Sequence, residues 1–184
     1  MKPTGSALFI NVAAFQVGWF ACVWGAAHGL AWAGTATVIA VVLWHLLQAH
    51  RPGEEAALLL VVGLIGAVWD SASSSLGWTS FPSQTTAAGT APYWMIALWP
   101  LFATTFNVSL RWLKPHLRLA ALLGAVGGPI SYYAGARLGA LEFADLARGL
   151  LTEAVGWAVL MPLLLVLARR LDGMAQRPTV AHTA

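Results

Sequence analysis

Apolar residues fall along this chain in long runs separated by short polar breaks. Six runs stand out, over about 7–27, 30–49, 56–77, 92–113, 117–137 and 150–171. Each is close to the length that crosses about 30 Å of hydrocarbon as a helix rising about 1.5 Å per residue. None alternates in the manner of a barrel strand. The breaks carry turn chemistry: His28-Gly29, "HRPGEE" at 50–55, the Ser/Thr/Gly/Pro-rich "TSFPSQTTAAGTA" at 79–91, and "KPH" at 114–116. In "GALEFADLARG", 139–149, Glu142 and Asp145 predict the start of a short interfacial helix. The pattern predicts an all-α integral membrane protein, a bundle of six transmembrane helices. It forms one domain over 1–171, with a flexible cytoplasmic tail over 172–184. No inverted repeat of the transporter kind is visible. The first run continues past the length of a signal peptide and carries Asn11, Gln16, Trp19 and Trp24, so it predicts a retained helix.

Composition agrees with lipid as the solvent. Hydrophobic residues make up 59% of the 184 and charged residues 9%, against about 25% charged in a soluble domain. Of the ten Lys and Arg residues, all but Arg137 and Arg148 fall on one side of the six-segment topology. The positive-inside rule then places both termini in the cytoplasm. No basic stripe interleaved with aromatics argues for nucleic acid. Cys22 has no cysteine to pair with.

The polar residues inside the runs are the candidates for chemistry. In "GAVWDSASSSLGW", 66–78, Asp70 shares a helix face with Gly63, Gly66, Ser73, Ser74 and Gly77. That seam of small residues predicts close helix packing, with the carboxyl facing protein and not lipid. An acid at that depth is a functional candidate whose partner should be named. Arg137, Tyr132, Tyr133 and Glu153 are the candidates on the same side. A buried Asp70–Arg137 pair that only fixes helix order is one expectation. A proton donor or ligand anchor at the foot of an outer-leaflet pocket is the other. Of the ten tryptophans, most suit an interfacial belt, but Trp19, Trp69 and Trp157 lie deep enough to line such a pocket. Asp70 and Glu153 are then the candidate catalytic residues. Tyr132, Tyr133, Arg137, Trp69, Trp157, Ser73 and Ser74 are the candidate ligand-binding residues.

The fifth run, "GAVGGPISYYAGARLG" at 124–139, has two G-x-x-x-G faces, and Pro129 predicts a kink or break near Ala125. A broken helix there would line a site. A second polar set sits toward the other end: Asn11, Gln16, His45, Gln48, Thr104, Thr105, Asn107 and Ser109. The adjoining "RWLKPHLR", 111–118, offers either topology-setting charges or a headgroup site. No metal, phosphate-loop, nucleophile-elbow or dinucleotide motif occurs, and no cofactor is expected.

The stretches "NVAAFQVGWFACVWGAA", "WMIALWPLFATTFNVSLRWL" and "GGPISYYAGARLGA" together resemble a bacterial family of small multi-pass membrane proteins catalogued as a domain of unknown function. The resemblance covers nearly the whole chain and implies an inner-membrane location. It also implies an association with lipid-modifying enzymes of the cyclopropane-fatty-acid-synthase kind. The resulting expectation is a protein that binds or modifies a lipid or isoprenoid, with no decision between chemistry and binding. A small proton-linked permease and a structural subunit of a membrane complex are the alternatives. The expected partners are membrane lipids, a second copy or another membrane protein.

Overall fold

The computed structural model describes residues 4–82 and 89–176, and the fold is all-helical. The elements in order are α1 (Gly5–Ala27), α2 (Ala31–Leu47), α3 (Pro52–Ser75), β1 (Thr79–Ser80), α4 (Tyr93–Ala103), a single 3-10 turn (Arg111–Leu113), α5 (Leu117–Arg137), β2 (Glu142–Phe143) and α6 (Leu146–Arg170). Four helices, α1, α3, α5 and α6, are long and apolar enough to cross a membrane. Local chemistry marks their starts. Thr4 caps α1 by accepting from the Ala7 amide, and Asp145 caps α6 by accepting from Arg148. α3 opens with Pro52, and Glu54 and Glu55 sit in its first turn.

The closest pairings are α5 with α6, α1 with α2, and α3 with α4. Glycine permits the approach. A Cβ on Gly124 of α5 would stand 2.3 Å from the Trp157 carbonyl of α6, and one on Gly34 of α2 would stand 2.5 Å from the Ala21 carbonyl of α1. Two apolar cores result. One gathers Leu58, Val62, Phe106, Leu113, Leu164 and Leu165 toward the basic end of the bundle. The other gathers Cys22, Val23, Trp94, Met95, Tyr132 and Leu141 toward the end closed by the β1–β2 pair. Trp157 packs against both.

The chain departs from the sequence expectation in three places. The fourth run is helical only to Ala103. Residues 104–116 then proceed through tight turns, with bonds such as Thr105 N to Phe102 O and Leu113 N to Leu110 O. Thr104 and Thr105 donate their hydroxyls to Leu101 O and Phe102 O, a side-chain competition that unwinds helices. Asn11 of α1 takes up the loosened backbone. Its Nδ2 donates to Thr104 O at 3.1 Å, and its Oδ1 accepts from Ser109 N at 3.3 Å. The broken element is therefore α4, whereas α5 is continuous helix across Pro129. Next, 139–149 is not an interfacial helix. Glu142 and Phe143 pair with Ser80 and Thr79, and Asp145 caps α6 directly. Finally, the tail does not come loose at Asp172, which is tied to Arg111 and Lys114. The loop residues 83–88 and the tail residues 177–184 lie outside the described residues.

Candidate functional site

Asp70 is fully buried. Its carboxylate accepts from Trp99 Nε1 of α4 at 2.7 Å through Oδ2, and from the Tyr132 hydroxyl of α5 through Oδ1. Glycine seats the tryptophan. A Cβ on Gly66, one turn before Asp70, would overlap the Trp99 ring at 1.9 Å, so the indole lies flat on bare helix and its N–H reaches the acid. The same unit recurs on α6. Trp69 Nε1 donates to Glu153 Oε2 at 3.1 Å, and the Trp69 ring lies on Gly156, where a Cβ would stand 2.1 Å away. Glu153 is buried as well. Trp157 completes the set. It stacks on Trp99 with centroids 5.0 Å apart and planes 11° from parallel, and it covers Gly128, one turn before Tyr132. Two acids are thus held by indole and phenol donors, with no cation bonded to either among the described residues.

The expected Asp70–Arg137 pair does not form. Arg137 ends α5 exposed, and both carboxylate oxygens of Asp70 are already engaged. Tyr133 follows Tyr132 by one residue, which on a helix turns it to a different face, and it is 40% exposed. Ser73 bonds Thr79 at 3.0 Å and anchors β1, and Ser74 accepts the Gly77 amide on its carbonyl. Of the nine candidates, the structure gathers Asp70, Glu153, Tyr132, Trp69 and Trp157, and leaves Tyr133, Arg137, Ser73 and Ser74 outside. The sequence reading missed Trp99, which it placed in the belt. The available signal was Gly66, a gap in the seam one turn from Asp70 that only a flat ring fills.

A cleft of about 580 Å³ runs beside this cluster. Phe15, Gln16, Trp19 and Val23 of α1 form one wall, and Leu123, Gly124, Gly127, Gly128, Ser131 and Gly135 of α5 the other. Trp94, Leu98, Trp99 and Phe102 of α4 form the floor. From Leu123 to Gly135 it extends about 18 Å at helical rise. It is longer than a pocket confined to one leaflet. Leu123, Gly127 and Ile130 are exposed along its rim, so it opens on the flank of the bundle. One hydrogen bond spans it, from Trp19 Nε1 to Ser131 Oγ at 3.0 Å. Tyr132 and Trp99 present their rings to the cleft and their polar atoms to Asp70 behind it. Glu153 and Trp69 stand one layer further back.

A second polar cluster closes the basic end. His45 Nε2 lies 2.8 Å from Glu55 Oε1, and Asn107 Nδ2 donates to Glu55 Oε2 at 2.7 Å. Lys114 Nζ donates to Asn107 Oδ1, to Ala168 O at 3.0 Å and to Asp172 Oδ2 at 3.0 Å. Arg111 bonds Asp172 Oδ1 at 2.8 Å and Asn107 O at 2.8 Å. Burial pulls Asp172 upward, but hydrogen bonds from Lys114 and Arg111 outweigh it and hold the carboxyl below its ordinary value. Burial pulls Lys114 down, against the bond to Asp172. Arg111 and Lys114 therefore face inward as members of a network and are not spread out for a headgroup. No group of three or more His, Cys, Asp or Glu that could hold a metal occurs among the described residues.

Fold and site define a class: a helical bundle with helices of membrane-crossing length, a lateral apolar cleft, and two buried acids behind its aromatic wall. Residues 8–163, which include the whole cleft and both acids, match a family described as "Protein of unknown function (DUF2878)", and the chain belongs to that family. No curated protein and no solved structure matches it.

Proposed function

We propose that this is a six-span protein of a bacterial inner membrane that takes an apolar or amphipathic ligand, a lipid or isoprenoid, into the α1–α5 cleft. In this reading α2 and the α4 segment with its following turns complete the six crossings. Both termini are cytoplasmic beside the basic network, and Pro129 bends α5 around the cleft. The observation that carries the reading is the cleft itself. It is apolar, chain-shaped, open along the bundle's flank and walled by Tyr132 and Trp99, the two donors to a buried acid. Asp70 and Glu153, behind that wall, are the groups available for proton transfer if the ligand is modified.

The test is native mass spectrometry of protein extracted gently from its own membrane. Gly127 lines the cleft, and a Cβ there meets nothing within 4 Å. Gly127→Phe therefore fills the space without displacing backbone. We expect wild type to retain a small apolar molecule, Gly127→Phe to lose it while folding normally, and Asp70→Asn to retain it less. Equal occupancy in wild type and Gly127→Phe, or no retained molecule at all, would sink the reading.

A second reading is proton-linked transport. It is favoured by one observation, that Asp70 and Glu153 have no cationic partner among the described residues. It requires uptake into proteoliposomes that depends on a pH gradient and is abolished by Asp70→Asn.

A further inference from the structure

Gln16 stands at the middle of α1, about 16 Å from either end of the helix at about 1.5 Å per residue. Its side chain is too short to reach an interface from there. It lines the cleft among Phe15, Leu98, Phe102 and Ile130. It makes no hydrogen bond to any described residue, unlike Asn11 on the same helix, whose amide is engaged on both sides. An amide in hydrocarbon without a partner is costly, and polar side chains at this depth normally find one. One turn on, Trp19 crosses the cleft to Ser131. The Ser131 oxygen accepts that bond, which leaves its own proton without an acceptor among the described residues. Gln16 and Trp19 share a face of α1 by i, i+3 spacing, so the amide and the Ser131 hydroxyl flank the same stretch of cleft.

We infer that the ligand of this cleft is an oxygenated chain, one whose uncharged carbonyl or hydroxyl lodges at mid-depth between Gln16 and Ser131. This rests on the cleft reading above and adds the class of ligand to it. A pure hydrocarbon chain would leave the amide N–H₂, the amide oxygen and the Ser131 proton all unmatched. A carbonyl oxygen accepts from both groups, and a hydroxyl accepts from one and donates to the amide oxygen. A charged group is disfavoured, because no charged side chain lines the cleft. Asp70 faces it only through the Tyr132 and Trp99 rings that hold it. The oxygen site is thus separate from the acid site.

The experiment compares two radiolabelled probes in nanodiscs of a saturated phosphatidylcholine: a symmetric dialkyl ketone with its carbonyl at mid-chain, and the alkane of the same length. The variants are Gln16→Leu, Ser131→Ala and Gly127→Phe. Gln16 is exposed and unbonded, so Gln16→Leu removes no internal contact. Wild type should bind the ketone about fivefold or more tightly than the alkane, the worth of one net hydrogen bond. Gln16→Leu should bring that ratio close to one while alkane binding persists. Ser131→Ala should lower it part of the way. Gly127→Phe should abolish both. Equal binding of the two probes by wild type, or a ratio unmoved by Gln16→Leu, overturns this inference and leaves the cleft standing. Binding of neither probe by wild type overturns both.

Discussion

The two polar clusters of this protein solve the same problem in opposite ways. At the basic end, Glu55 and Asp172 meet Lys114, Arg111, His45 and Asn107, so charge is answered by charge and by amide. Beside the cleft, Asp70 and Glu153 are answered, among the described residues, by Trp99, Tyr132 and Trp69. The first arrangement is closed. It ties α2, α3, the turns after α4 and the end of α6 into one knot, and it holds the non-helical stretch 104–116 in place. The second holds its acids by neutral donors alone among the described residues, beside the cleft. In the proposed reading the first cluster is a staple and the second is the site.

Three measurements can break that contrast. The largest effect is expected at the knot. Lys114→Met leaves Asp172 and Asn107 without their shared partner and should cost about 3–5 kcal/mol of unfolding free energy in mixed micelles, the range for a buried pair broken on one side. If Asp70→Asn, which keeps an oxygen for Trp99 or Tyr132, costs as much, the two clusters are both structural and the contrast fails. An intermediate effect is expected from Gly66→Ala. Its methyl meets the Trp99 ring, so overpacking should cost about 1–3 kcal/mol and weaken ligand retention as well. A stability loss with retention unchanged would separate the Trp99 seat from the site. The smallest effect is the pH response of the knot. Asp172 has a folded value below its unfolded one, so the folded state binds fewer protons and stability rises with pH in that window. Its contribution is complete above the ordinary carboxylate range near about pH 4 and is lost as pH falls through the lower folded value. Thermal unfolding in micelles between neutral and strongly acid pH should show this loss in wild type and not in Asp172→Asn.

Much of the frame was legible in the sequence. Runs of about twenty apolar residues can become little else but helices, and the small-residue seam of α3 correctly turned Asp70 inward. Pairing within the bundle was less legible, because helical spacing gives a face but not the neighbour that covers it. Arg137 looked like a partner for Asp70 by depth alone, whereas the actual donors were aromatics in other runs. Pro129 marked α5 for a kink or a break, and α5 is continuous helix across it. The unwinding falls in α4, where Thr104 and Thr105 offer the backbone competing bonds and Asn11 completes them from ninety-three positions away. A proline announces itself locally, and a break stabilised by a distant amide does not. A pocket was expected, and Trp19, Tyr132 and Trp157 do line the cleft; its place between α1 and α5 was out of reach, because it is a space left where two helices do not close and no residue's own chemistry encodes a gap.

The flank opening of that cleft has a consequence for how affinity should be expressed. In the proposed reading, a ligand enters sideways from the hydrocarbon phase, where it is already concentrated by partitioning. Its occupancy follows its mole fraction among the surrounding lipids and hardly senses its concentration in water. Two membranes with the same dissolved ligand but different acyl compositions would then load this protein to different extents, with the bilayer acting as both solvent and competitor.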